Sequence, residues 1–262
     1  MSQSVLSLFA FLIACFAADP ASAADIRVMI SAGFFNVYRE LGPAFEKSTG
    51  HKLLTTRGPS LGDSPEAIPT RLARGEEADV VIMDGHGADL LDARGLARPG
   101  SRVPLAESFI GMVVRAGQPK PDISTVEALR KTLLAAKSIA YSDSSSGTYL
   151  STVGFKKLGI ADEVADKSRK VRGPPSGEPV AAVVARGEAE VGFQQVAELI
   201  HVPGIDFVGT VPAEIQPPTF FVGALPKNSQ QPQAAVALLR FLSSAEAASV
   251  ITKAGLKPLP TR

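Results

Sequence analysis

The sequence predicts an α/β protein of two lobes, each a doubly wound, mostly parallel sheet. Three features predict it. Short apolar strands alternate with amphipathic helices through the N-terminal part, the pattern of parallel sheets with helices on both faces. Two continuous apolar strands, Phe109–Val114 and Thr219–Leu225, lie far apart and bracket a separate α/β segment. The chain therefore crosses to a second lobe and later returns. Inside that segment, Ile139-Ala140-Tyr141 runs into Ser142-Asp143-Ser144-Ser145-Ser146-Gly147. A helical pattern opens at Thr148, with Leu150, Val153, Phe155 and Leu158 at near-helical spacing.

Taken in order, Asp25–Ser31 alternates and reads as the first strand. Ala32-Gly33-Phe34-Phe35 turns into a helix through Phe45 with Val37, Leu41 and Ala44 on one face, closed by Gly50. Lys52–Thr56 is the second strand and leads into the polar loop Arg57–Pro65. A helix over Ala67–Arg74 follows, then a strand over Ala78–Met83 and a loop Asp84-Gly85-His86-Gly87. Both loops follow the ends of strands, where open α/β sheets bind ligands. The bracketed segment holds a helix over Leu129–Ala135, the serine-rich stretch, a strand near Arg169–Arg172, a helix over Val180–Arg186 and the strand Val191–Gln195. The tail, Gln233–Ala254, reads as an amphipathic helix pair. These landmarks divide the chain into 24–108 plus 218–262 as one lobe and 109–217 as the other.

The 262 residues are 45% hydrophobic and 20% charged, a globular balance with length enough for two lobes. Residues 1–23 read as an export leader. Val5–Ala18 is almost wholly apolar, and Ala21-Ser22-Ala23 supplies a small–x–small cleavage site. Leu12-Ile13-Ala14-Cys15 also resembles a lipoprotein box, which would leave Cys15 acylated. The Ala-Ser-Ala site is preferred for its distance from the apolar run. Cleavage there leaves 27 basic and 25 acidic residues and no cysteine. That balance gives no reason to expect nucleic acid or insertion in a membrane. It also excludes a thiolate nucleophile, and a cysteine-free exported chain suits a periplasm. His51, His86 and His201 lack zinc-ligand spacing.

The first N–H groups of a helix have no intrahelical partner and carry the positive end of its dipole. Ser144, Ser145, Ser146 and Gly147 can thus receive an anion through backbone and hydroxyl groups. The same serines are also ordinary caps.

Together these segments resemble the type 2 periplasmic binding-protein fold and, within it, the molybdate-binding-like branch. The carriers are Ile30-Ser31-Ala32-Gly33, Pro43–Gly50, Leu72–Val80 and Gly187–Phe193. The resemblance spans the mature chain and implies two lobes joined by two crossover strands, with the ligand between them. The molybdate pocket itself departs. Gly33 stands where that branch has a hydroxyl residue, and Gln195 where it has a tyrosine. The second hydroxyl loop, with Ser60, is longer here and contains Arg57. A guanidinium pairs bidentately with a carboxylate, so Arg57 turns the reading towards an organic acid. Arg172, ending a strand of the other lobe, is a second clamp candidate, although either arginine also reads as an ordinary solvated strand end.

Bacterial isomerases that interconvert trans- and cis-aconitate resemble this branch, and the chain is similar to them in size, layout and altered pocket. The reaction is an allylic proton shift. It needs groups to hold carboxylates, groups to stabilise added charge, and one acid/base. No metal or organic cofactor is required. His86 has a pKa range suited to moving a proton, with Tyr149 next and Glu178 third; each also has a structural reading. Gln194 and Gln195 read as ligand donors or as hinge. The resemblance implies a monomer acting on a small carboxylate. The competing reading is a receptor handing an oxyanion or organic acid to an ABC permease.

Overall fold

The computed structural model of the protein describes residues 23–62 and 64–259. The expected leader, save its last residue Ala23, and the alternative acylation site at Cys15 lie outside the described residues. The chain begins with β1 (Asp25–Ile30), α1 (Ala32–Thr49), β2 (Lys52–Arg57), α2 (Ile68–Ala73), β3 (Val80–Asp84), α3 (Gly85–Ala93) and β4 (Val103–Ser108). Phe109 separates β4 from β5 (Ile110–Arg115), which leads to α4 (Val126–Ala135) and β6 (Ile139–Ser142). Then come α5 (Ser145–Tyr149), a π-helical turn (Leu150–Gly154), α6 (Phe155–Lys157), α7 (Ala161–Ala165) and β7 (Ser168–Val171). Next are α8 (Val180–Ala185), β8 (Val191–Gln195), α9 (Val196–Leu199) and β9 (Ile205–Thr210). The chain returns as β10 (Thr219–Ala224), α10 (Pro232–Leu242), a 3-10 turn (Ala245–Ala247), α11 (Ala248–Lys253) and β11 (Lys257–Pro258).

Two sheets result, ordered β11-β4-β10-β3-β1-β2 and β7-β6-β8-β5-β9. Each is mixed. Strands β2, β1 and β3 pair in parallel, as do β7, β6 and β8. The strands that carry the chain between sheets join antiparallel: β10 beside β3 and β4, β5 beside β8 and β9. The parallel part expected from strand–helix alternation is therefore three strands in each sheet, and the crossovers supply the remainder.

Strand residues alternate between faces, and here both faces are covered. In the first sheet Ile26, Val28, Ile30, Val80 and Ile82 pack under α1 and α10 with Phe34 and Leu238. Met29, Val81 and Met83 point the other way, onto Ile68 and Leu91. In the second, Met112, Val114 and Phe193 face Leu129 and Phe155, while Val113 and Ala140 face Val180 and Val184. Burial on both faces explains why these strands read as near-continuous apolar runs. Helix α1 ends at Gly50, whose φ of 75° is the left-handed value a helix stop requires.

The crossing points are pinned by buried amides. Gln195 accepts from Ser108 Oγ at 2.7 Å and donates to Thr219 Oγ1 at 3.0 Å, so one side chain ties β8 to the ends of β4 and β10. Gln216 accepts from Ile110 N at 2.6 Å and donates to the carbonyls of Ile110 and Val211. Among the described residues no single helix is long and apolar enough to cross a membrane.

Candidate active site

The C-terminal ends of the parallel strands of both sheets face one another across a cleft. From the first lobe come the β1–α1 junction at Ser31 and Gly33, Ser60 after β2, Asp84 at the end of β3 and Phe221 from β10. From the second come Ser142–Ser146 after β6, Gly173 and Pro174 after β7, and Gln194, Gln195 and Glu198 at the β8–α9 junction. The cavity they enclose is small, about 30 Å³. Side chains close it from both sides. Ser145 Oγ donates to Asp84 Oδ2 at 2.6 Å and Ser176 Oγ donates to Glu66 Oε2 at 2.6 Å. Arg172 Nη2 stands 3.7 Å from the same Glu66 oxygen.

The donors are those of an anion site. Ser31 is the N-cap of the 18-residue α1, yet its hydroxyl makes no capping bond. It is 4% exposed, and its Oγ has no partner among the described residues. A buried hydroxyl without a partner at a helix N-terminus is an open position for an anion. Ser142 Oγ lies 3.0 Å from Ser144 Oγ and 3.1 Å from Ser146 Oγ, a linked hydroxyl cluster at the start of α5. Ser60 Oγ is already used, accepting from Asp84 N at 3.0 Å.

Three carboxylates share the cleft. Asp84 caps α3 through Gly87 N at 2.9 Å and accepts from Ser145, so both its oxygens are occupied. Asp143 accepts from Gly173 N through Oδ1 at 3.1 Å, and its Oδ2 has no hydrogen-bond partner among the described residues. Glu198 is held by a neighbouring side chain. Its Oε2 accepts from Gln194 Nε2 at 2.5 Å, while its Oε1 has no hydrogen-bond partner among the described residues. Burial pushes its pKa up to about 7, against the Gln194 bond and the Arg57 charge, with Asp84 and Asp143 adding to the rise. Arg57 holds its guanidinium 4.2 Å from the Phe35 ring centroid. Its Nε is buried without a partner among the described residues, and burial lowers its pKa against the pull of the Glu198 charge. No group of three or more His, Cys, Asp or Glu among the described residues stands where a metal ion could be held.

The structure brings Gly33, Ser60, Ser144, Ser145, Ser146 and Gln195 to the cavity wall. Gly147 sits behind it, where a Cβ would overlap the Ser142 carbonyl. At Gly33 a Cβ would overlap the Phe221 ring, which occupies the space of the hydroxyl expected there. Arg57 lies beside the cleft, within electrostatic reach of Glu198. Arg172 is half exposed and engages Glu66. His86 and Tyr149 do not line the cavity. The expected loop at His86 is the first turn of α3, started by the Asp84 cap, and the side chain is exposed. Tyr149 is tied to the Ile215 carbonyl at 2.8 Å and packs on the second lobe's core. Glu178 is partly buried and paired with Arg186. Gln194 and Gln195 are fixed at both ends of their amides. The sequence reading did not single out Ser31, Asp84, Asp143, Phe221 or Glu198 as site residues. A carboxylate ending an apolar strand is a usable signal for Asp84; Glu198 carries none.

Comparison with known proteins agrees with this fold. The family model for bacterial extracellular solute-binding proteins matches residues 26–257. An aconitate isomerase of a Pseudomonas species is 49% identical over 246 residues, covering 94% of this chain and 92% of that protein. A molybdate-binding protein of Azotobacter vinelandii is 27% identical over 97% of each chain. The solved periplasmic molybdate-binding protein of Azotobacter vinelandii superposes with a TM-score of 0.70 at 24% identity, over 90% of this chain and all of that one.

Proposed function

We propose that this chain, which belongs to the bacterial extracellular solute-binding protein family, is an aconitate isomerase whose chemistry takes place in the cleft between its lobes. The observation that carries the activity is the 49% identity to an aconitate isomerase over nearly the whole of both proteins. Residues 24–108 with 218–262, and 109–217, are the two lobes, and the leader over residues 1–23 delivers the protein to the periplasm.

Aconitate has a methylene and a vinylic carbon flanking a central carbon, with a carboxylate on each of the three. Moving one proton from the methylene to the vinylic carbon transposes the double bond and exchanges trans for cis. The cleft supplies what that shift needs. The free Ser31 hydroxyl with the α1 N-terminus receives one carboxylate, and the serine cluster at α5 receives another. Both positions lie away from bulk water, where fixed donors stabilise the allylic anion as charge develops. Arg57 adds positive charge on one side. The Ser145–Asp84 and Ser176–Glu66 contacts bridge the lobes across the cleft, so the lobes part for entry and release both.

The test is turnover by purified residues 24–262 supplied with trans-aconitate and followed by chromatography. Steady formation of cis-aconitate is expected. No turnover, together with a thermal shift given by molybdate, would contradict the isomerase and identify an oxyanion receptor.

A further inference from the structure

We infer that Glu198 is the acid/base of the reaction, using Oε1 to take the proton from the methylene carbon and return it to the vinylic carbon. The inference rests on the isomerase reading. It is carried by the hydrogen-bond arrangement of the cleft. Of the three carboxylates that reach the cavity, Asp84 has both oxygens engaged, whereas Asp143 keeps Oδ2 and Glu198 keeps Oε1 without a hydrogen bond from the described residues. Of those two, Asp143 is tied only to the backbone of Gly173, and Glu198 has its other oxygen held by a side chain. Its carboxylate is held from behind. Gln194 Oε1 accepts from Val180 N at 3.1 Å, which fixes which end of that amide faces Glu198. Gln194 Nε2 then donates to Oε2, leaving Oε1 for substrate. Gln194 is a positioning residue in this arrangement.

The charges facing Glu198 are Arg57 from β2, Asp84 from β3 and Asp143 from the turn after β6. Burial with the two aspartates raises its proton affinity, and Arg57 with Gln194 keeps the anion accessible, so both forms exist near neutral pH. The step balances. The methylene C–H bond breaks and its proton passes to Oε1. The electron pair spreads over the allyl system into the carboxylates. The Glu198 O–H then breaks as a new C–H forms at the far carbon, regenerating the carboxylate.

The experiment compares wild type with Glu198→Gln and Glu198→Asp for turnover and for trans-aconitate binding by calorimetry. It adds the pH profile of kcat/KM and label retention from substrate deuterated at the methylene. Expected are a fall in kcat of about 10³-fold in E198Q and binding within about threefold of wild type. The wild-type profile should have an acid limb near pH 7 that E198Q lacks. Part of the label should reappear at the other terminal carbon, since one carboxyl group carries the proton across. E198D should keep the acid limb at reduced kcat. Turnover by E198Q within tenfold of wild type would overturn the inference, as would folded E198Q that no longer binds. Absence of turnover in wild type would instead overturn the isomerase reading, and this inference with it.

Discussion

Replacing Glu198 by glutamine should stabilise the protein above neutral pH and leave it unchanged in acid. Burial raises the Glu198 pKa from 4.5 to about 7. Each unit is worth about 1.4 kcal/mol, so the fold carries a penalty of about 3 kcal/mol once this group is ionised. The sign follows from linkage. A carboxyl group whose folded pKa exceeds its unfolded value holds its proton more tightly in the native state. Native stability then falls as pH rises from about 4.5 to about 7, and the loss is complete above that window. Glutamine is nearly isosteric, accepts the Gln194 bond through its carbonyl, and never ionises. The difference between variant and wild type should therefore grow from near zero at pH 4.5 to about 3 kcal/mol at pH 8. For a chain of this size that corresponds to roughly 6–12 °C in Tm at pH 8. Urea and thermal unfolding across pH 5–8 measure it. A difference that does not vary with pH would instead place the Glu198 titration at its unfolded value.

Three other substitutions probe the cleft. Arg57→Met should raise KM for trans-aconitate about tenfold or more, and it should move the acid limb of kcat/KM above pH 7, since it removes the cation that lowers the Glu198 pKa. Ser31→Ala should leave Tm nearly unchanged, because its hydroxyl has no partner among the described residues, while weakening trans-aconitate binding about fivefold to tenfold in calorimetry. Gly33→Ser, which puts back the hydroxyl of the molybdate branch, should cost about 1–3 kcal/mol in urea unfolding through its clash with Phe221. Adding Phe221→Ala should recover part of the strain.

The two-lobed plan was legible because its signals are local or repetitive. Strand Val80–Asp84 is buried on both faces and reads as a continuous apolar run. Ser142–Ser146 shows its strand-to-helix turn within a few residues. The parts that escaped depend on tertiary neighbours. Strand Ile205–Thr210 is an edge strand with no fully buried residue, so it lacks a burial rhythm. Strand Val103–Ser108 carries Pro104 and Glu107 and owes its place to pairing with β10 and β11. His86 drew notice as an imidazole in a glycine-rich loop, yet the Asp84 cap turns that loop into a helix and leaves the ring exposed. Glu198 sits on a four-residue helix, and its character comes from Gln194, Arg57, Asp84 and Asp143. Only the last step, the meeting of three distant segments around one carboxylate, makes it distinctive.

If the chemistry takes place between the lobes, a reversible lock across the cleft stops it. Glu66 and Ser176 meet there from opposite lobes, and the only cysteine of the sequence lies at position 15, outside residues 24–262. A Glu66→Cys, Ser176→Cys variant of residues 24–262 can be bridged with a short cleavable bifunctional thiol reagent and assayed before bridging, after it, and after release. Turnover of trans-aconitate should fall at least tenfold when the lobes are bridged and return on release. Unchanged turnover by the bridged protein would contradict this and place the reaction outside the cleft.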